Sequence, residues 1–392
     1  MTCPSCGTAV RDGARFCEAC GAALAEVPVS GVDVDAVDAA ATAPAGAVTT
    51  PRFDDAPISA PTRKPLSALP DPPAPGRRPC AECGGEVGPD RYCLACGTKA
   101  PSERDHFREQ PASWVAGVCD KAIRKSRNED AMALLAGPEP GSRAVLVVMD
   151  GVSNSIDSDV ASLAGARAAR EVLRMPLPAG MGTAESRSAA VQKVFTDAAA
   201  AANTAIIAVT DPDSPNPASA TFTTVVLEGS RAYWANIGDS RSYWIPDAGD
   251  AVQLTTDDSV AQAQIATGVA REVAEAGPQA HAITKWLGRD SEDPTPTVGA
   301  LDLTGSGWLL ACSDGLWNYA STPDAIAAQV RAAAADPAAD PMAVALALVA
   351  FANDAGGHDN ITAALARVDL GHNDQTPTPA PAGTPGGEPT DG

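Results

Sequence analysis

The sequence is short of positive charge and has no long apolar run. Lys and Arg number 28 against 49 Asp and Glu, a formal net charge of −21. So acidic a chain offers no broad surface for nucleic acid or an anionic membrane, both of which reward basic patches. The balance suits carboxylates gathered around cations, and it also serves plain solubility. No stretch approaches the roughly twenty apolar residues that a membrane-spanning helix needs. Ala144–Met149 is a short strand-like run, and Met342–Phe351 is apolar but brief. No basic segment followed by an apolar one opens the sequence, so no signal peptide is expected. Paired cysteines then read as thiolates in a reducing compartment, and a cytoplasmic location is expected. The length allows two or three domains, at least one with a full core.

What is present begins with cysteine. Cys3 and Cys6 are followed after ten residues by Cys17 and Cys20, and Cys80 and Cys83 after nine by Cys93 and Cys96. Two Cys-x-x-Cys knuckles at such a separation supply four thiolates in a tetrahedron, which suits zinc. A Gly follows most of the knuckles and relieves crowding where backbone amides turn toward sulfur. Each module is too small to fold on a core, so metal would supply its folding free energy. Both modules, 1–24 and 78–100, resemble zinc ribbons, and two structural zinc ions are expected.

Residues 25–77 are rich in Ala, Pro, Asp, Val and Thr with few aromatics, and 371–392 are Pro, Thr and Gly. Neither buries enough apolar surface to offset its ordering entropy, so a Pro-stiffened linker and a disordered tail are expected. The catalytic candidate is 113–370. Strand patterns run over Val145–Met149, Thr223–Leu227, Ala232–Ile237, Ser242–Ile245, Trp308–Cys312 and Ile361–Leu365. Helix patterns cover Ser158–Leu173, Ala189–Thr210, Pro323–Ala335 and Pro341–Asn353, the first with Asp157 as its expected N-cap. Helices come in pairs and strands in runs, which argues for an α+β fold.

Five short acidic motifs punctuate this region: Asn128-Glu129-Asp130, Asp150-Gly151, Gly238-Asp239-Ser240-Arg241, Ser313-Asp314-Gly315 and Asp359-Asn360. Carboxylates delivered from strand ends with little bulk around them are what a hard divalent cation needs. A single Asp beside Gly is most often a turn or cap residue; an ordered set of five is a different matter. Their order and spacing resemble the metal-dependent Ser/Thr protein phosphatases of the 2C type over the whole of 113–370.

That resemblance implies a four-layer α/β/β/α sandwich of two antiparallel sheets flanked by helix pairs. It implies hydrolysis of phosphoserine or phosphothreonine in proteins by a metal-activated water, with no covalent enzyme intermediate. Asp150 matches the carboxylate shared by two Mn2+ or Mg2+ ions, and Gly151 offers a carbonyl ligand. Asp314 and Asp359 match the other metal carboxylates, Glu129 and Asp130 the acidic pair that orients water, and Asp239 the ligand of a third ion. Val152-Ser153-Asn154 departs from the family's x-Gly-Gly after Asp-Gly. Val152 stands where some relatives carry a His that could protonate the leaving group, so a solvent-derived proton is expected to serve.

The family places a phosphate-binding Arg three residues before the Asn of Asn-Glu-Asp. Here that register falls on Lys125, flanked by Arg124 and Arg127. Arg grips phosphate with a planar fork, so Arg124 is favoured, then Lys125, then Arg127. A flap is expected around Thr255–Ser259 and on to His281–Gly288, with Asp258 capping the next helix or binding the extra ion. His281 and His358 are candidate acids by residue type alone. Cys119 and Cys312 lack the Gly-rich cradle ending in Arg that a cysteine-dependent phosphatase needs, and Cys312 is expected as a small buried hydrophobe. The expected partners are Ser/Thr-phosphorylated proteins, a cognate Ser/Thr kinase in bacterial signalling and proteins docked on the ribbons, with no membrane. Nucleic acid is disfavoured because the ribbons lack an aromatic-basic stripe. The competing reading is a catalytically weak, phosphatase-like scaffold or sensor that recruits partners through its ribbons.

Overall fold

The computed structural model describes residues 80, 83–88, 92–100, 102–152, 155–336 and 338–370. The first expected ribbon (Cys3, Cys6, Cys17, Cys20), the linker 25–77 and the tail 371–392 lie outside the described residues, as do Ser153 and Asn154.

The chain opens with strands β1 (His106–Ala112), β2 (Val115–Asp120), β3 (Ala131–Ala136) and β4 (Arg143–Met149), then helices α1 (Ser158–Val172) and α2 (Ala184–Val209). Next come β5 (Ser219–Ala220), β6 (Phe222–Glu228), β7 (Arg231–Ile237), β8 (Arg241–Pro246) and β9 (Val252–Gln253). Two short helices, α3 (Val260–Ala266) and α4 (Arg271–Glu275), lead to β10 (Leu287–Gly288), β11 (Thr297–Asp302) and β12 (Gly307–Cys312). Helices α5 (Asp314–Trp317), α6 (Pro323–Ala333) and α7 (Pro341–Asp354) precede the last strand, β13 (Ile361–Val368).

Two large antiparallel sheets result, ordered β1-β2-β13-β12-β8-β9 and β11-β7-β6-β4-β3, with β10 and β5 paired as a separate two-stranded sheet. Side-chain alternation explains why their central strands read as unbroken apolar runs. On β4, Val145, Val147 and Met149 enter a core beneath α1 and α2, while Ala144, Leu146 and Val148 enter the core between the sheets. On β12, Trp308, Leu310 and Cys312 face the core beneath α6 and α7, while Leu309 and Ala311 face the intersheet core. A strand buried on both faces has no need of polar alternation. The architecture is the expected four-layer sandwich, and Cys312 is the buried hydrophobe expected of it.

Several local expectations are corrected. Strand β1 begins at His106, ahead of the expected start at 113, and forms a sheet edge against β2. Helix α2 starts at Ala184 rather than Ala189, because Thr183 accepts a capping bond from Ser186 N. Asp157 occupies the N-cap position of α1, but at φ +63° its side chain makes no capping bond. Ser259, not Asp258, caps α3. Thr322 and Asp340 cap α6 and α7, each followed by Pro in the first turn, where a missing N–H costs nothing.

Candidate active site

All five acidic motifs lie at one end of the sandwich. Asp150 follows β4, Asp239 follows β7 and Asp314 follows β12, while Asp130 precedes β3 and Asp359 precedes β13. Both sheets therefore contribute, and antiparallel pairing turns ends and starts toward the same rim.

The two Asp-Gly pairs have a steric reason. A Cβ on Gly151 would lie 2.7 Å from Glu129 O and 2.9 Å from Ser158 O. One on Gly315 would lie 2.0 Å from Asn360 O. Only glycine lets β4 pass so close to the Asn-Glu-Asp segment, or α5 so close to the Asp359-Asn360 segment. The glycines thus set how near the carboxylates come to one another.

The electrostatics follow from that proximity. Burial raises Asp150 well above the ordinary carboxylate range, and Asp130, Asp314, Asp359 and Asp239 add to the rise. Burial likewise raises Asp239, with Asp314 and Asp257 adding to it and Arg241 opposing. Asp314 is raised by burial and by Asp359, although a hydrogen bond with Asp150 opposes this. Asp130 is pushed up to about 7, chiefly by burial. Its Oδ2 accepts from Ser313 Oγ (2.6 Å) and Thr362 Oγ1 (2.7 Å). Asp130 Oδ1 and Asp314 Oδ1 are buried and accept no hydrogen bond. Buried polar atoms without partners call for an ion or water, and like charges held together call for cations between them. All-oxygen donors of this kind fit Mn2+ or Mg2+.

The basic residues divide differently from expectation. Arg124 is exposed, and its backbone N–H is held by Gly357 O (3.1 Å). Lys125 is the cation beside the carboxylates, with Nζ 2.7 Å from Asp359 Oδ1. Burial works against its charge, but Asp359, Asp150 and Glu129 outweigh burial and raise its pKa. Arg127 is committed to Glu129 Oε1 (2.6 Å), Ser155 O and Ser158 Oγ. The reason is register: Lys125 is the residue that the turn before Asn128 presents toward Asp359.

Asp258 Oδ2 accepts from Gly238 N (3.0 Å) and so holds the turn that carries Asp239. His281 is exposed, with its ring 6.3 Å from that of Trp317, and its charge lowers Asp314. His358 is exposed and lies against Tyr319. Further hydrogen-bonding residues complete the site; Asn360 and Arg241 stand inside the acidic motifs and Arg104 outside them. Asn360 Oδ1 accepts from Glu129 N (2.8 Å), while its amide donates to Lys121 O and Arg127 O. Arg104 donates to Asp130 O (2.7 Å) and Asp159 O (3.0 Å). Arg241, 1% exposed, grips Asp257 and stacks 3.5 Å from the ring centroid of Trp317, whose Nε1 donates to Asp239 O. A hydrogen-bonding Asn, Ser, Thr or Arg looks like any surface polar residue in a sequence; the motif aspartates mark Asn360 and Arg241, and nothing marks Arg104.

Apart from this centre, Cys80, Cys83, Cys93 and Cys96 bring their sulfurs within 4.8 Å of one another. None is in a disulfide. Gly84 and Gly97 take φ +74° and +72°, the left-handed turns that follow each knuckle. Hydrogen bonds with Thr98 lower Cys96 to about 6, and those from the Cys96 and Ala95 amides lower Cys93. Cys83 moves the other way: the Gly85 amide lowers it, but hydrogen bonds with Cys96 and Cys93 push it up to about 12. Four sulfurs this close suit zinc, which binds them as thiolates and displaces their protons.

Comparison with known proteins agrees. The chain matches the protein phosphatase 2C family over residues 121–347, more than half its length, and a zinc-ribbon domain over residues 2–24. It is 35% identical over 153 residues to the protein phosphatase PhpP of Streptococcus pneumoniae, covering 38% of this chain and 58% of that one. The chain thus spans 58% of the length of that curated relative. The serine/threonine phosphatase stp of Listeria monocytogenes is 25% identical over 253 residues, 64% of this chain and 94% of that one. The solved serine/threonine phosphatase of S. agalactiae superimposes with a TM-score of 0.54 at 22% identity, covering 67% of this chain and 100% of that one, a likeness of fold.

Proposed function

Because the chain belongs to the protein phosphatase 2C family, we propose that it hydrolyses phosphoserine and phosphothreonine in proteins and opposes a Ser/Thr kinase in bacterial signalling. The observation that carries this reading is the convergence of five aspartates, two with orphaned buried oxygens, on one rim of the sandwich. Asp150, Asp314 and Asp359 would hold two divalent cations, with the Gly151 carbonyl as a further donor and Asp239 holding a third ion. Bound there, Mn2+ or Mg2+ supplies a water acidified for in-line attack on phosphorus and charge to neutralise the phosphoryl oxygens.

The chain's own residues position the rest. Ser313 and Thr362 fix Asp130 through Oδ2, which leaves Oδ1 free to orient water. Arg127 and Ser158 fix Glu129, both donating to its Oε1. Lys125 is the cation placed to meet a phosphate beside Asp359. Val152 offers no proton, so the departing Ser or Thr oxygen takes one from solvent to become the free hydroxyl.

The same reading assigns zinc ribbons to 1–24 and 78–100, a linker to 25–77, the catalytic domain to 113–370 with β1 added, and a tail to 371–392. Each ribbon holds one zinc and docks proteins. No described helix is long and apolar enough to cross a membrane, and a cytoplasmic setting fits the thiolate ribbons. The test is hydrolysis of a phosphothreonine peptide and p-nitrophenyl phosphate with and without manganese, beside Asp314→Asn. Manganese-dependent turnover lost on substitution supports the assignment. No turnover by folded, metal-loaded protein would favour the scaffold reading and point to the Val152-Ser153-Asn154 departure.

A further inference from the structure

A cavity of about 420 Å³ lies where the start of α2 passes over β7 and β11, and Arg187, Arg231 and Tyr233 line it. No acidic side chain is among its lining residues, which stands out in a chain of net charge −21. Tyr233 is 3% exposed. Both guanidinium groups flank its ring, with Cζ 5.9 Å from the centroid for Arg187 and 5.4 Å for Arg231. Arg187 Nη2 donates to Tyr233 Oη at 2.7 Å, which fixes one fork. Arg231 Nη1 lies 3.3 Å from Asp302 Oδ1, a pair open to solvent on both sides. Its Nε is buried and makes no hydrogen bond.

Two guanidinium groups held by one buried ring, with no carboxylate between them, form a preorganised site for a multiply charged anion. Planar forks match the oxygens of phosphate. The volume exceeds what a bare ion fills and falls within the range of small-molecule pockets, about 300–1,000 Å³. Val298, Ala184 and Ala300 supply apolar wall.

We propose that this cavity binds a small organic molecule bearing a phosphate group. It is a second site, distinct from the catalytic carboxylates. Arg231 opens β7 and Asp239 follows its other end, so at about 3.3 Å per residue roughly 25 Å separates the two.

The test is hydrogen–deuterium exchange of the full, metal-loaded chain with phenylphosphonate, which resists hydrolysis, as the probe. Slowed exchange over residues 179–192 and 298–302 is expected. In Arg187→Gln and Ala300→Glu the half-saturating concentration should rise at least about tenfold, the loss of one charged hydrogen bond. Both variants should keep manganese-dependent turnover, which shows that they fold. Inorganic phosphate and benzoate should protect less than phenylphosphonate. Absence of protection in these segments, protection unchanged by either substitution, or equal protection by inorganic phosphate or benzoate would overturn the proposal.

Discussion

Asp257→Asn should destabilise the protein by about 3 kcal/mol, the lower part of the range for breaking a buried ion pair. Arg241 and Asp257 have side chains only 2% and 3% exposed, joined at 2.7 Å. Burial pushes Asp257 up against the pull of Arg241, whereas burial of Arg241 is outweighed by neighbours that include the Asp257 carboxylate, which raise it; with two desolvations set against one attraction, a buried pair as a whole adds little net stability. Removing one partner is different, because it strands a guanidinium beneath Trp317 with Glu275, at 3.3 Å, as its remaining ion-pair partner among the described residues. For a domain of this size about 3 kcal/mol corresponds to a melting temperature lower by roughly 6–12 °C. The double variant Arg241→Met, Asp257→Leu, which leaves no buried charge, should recover most of that loss. Urea unfolding at fixed manganese and zinc measures both, since bound metal would otherwise shift the result. A single variant costing under about 1 kcal/mol, or a double variant worse than the single, would refute the argument.

Three further outcomes follow from the geometry. Lys125→Gln should lower kcat/KM on a phosphothreonine peptide by about 10–100-fold, the loss of one or two charged hydrogen bonds, while exposed Arg124→Gln should change it by less than about twofold; the reverse order in steady-state kinetics would restore Arg124 as the phosphate cation. Gly151→Ala should reduce turnover by about a hundredfold, because its Cβ would meet Glu129 O at 2.7 Å; near-normal turnover in a folded variant would show that the close approach is dispensable. Glu109, which accepts from Leu134 N at 2.8 Å, is raised by burial against the pull of Arg170 and Arg167. Its contribution is whole below the ordinary carboxylate range and is lost as pH rises through the raised folded value. Glu109→Gln should therefore gain on the native protein as pH rises above the ordinary carboxylate range, about pH 4, and a stability gap that does not move with pH would contradict this.

The strands that were legible in the sequence are those buried on both faces, such as β4, β12 and β13, whose apolar runs have no other cause. β1, His106–Ala112, was not, because an exposed edge strand of charged and polar residues carries no apolar period. β3 reads Ala-Met-Ala-Leu-Leu-Ala, a run that propensity assigns to a helix and that only pairing with β4 makes a strand. The placing of Asp150 and Asp314 on one rim was legible because each stands beside a glycine where two backbones pass closely. The basic neighbour of Asp359 was not: favouring Arg124 over Lys125 rested on side-chain chemistry, whereas the turn before Asn128 brings Lys125 beside Asp359. Asp157 shows the converse, a residue type suited to capping whose left-handed backbone points its side chain elsewhere.

The central claim is that the rim carboxylates hold the ions that make the chemistry possible. Calorimetric titration of manganese into zinc-loaded protein tests it most directly, with Asp150→Asn alongside. The account predicts roughly two manganese ions per chain, lost in Asp150→Asn together with phosphothreonine-peptide turnover. Undiminished manganese binding by Asp150→Asn, or full turnover by the native protein in chelator, would contradict it.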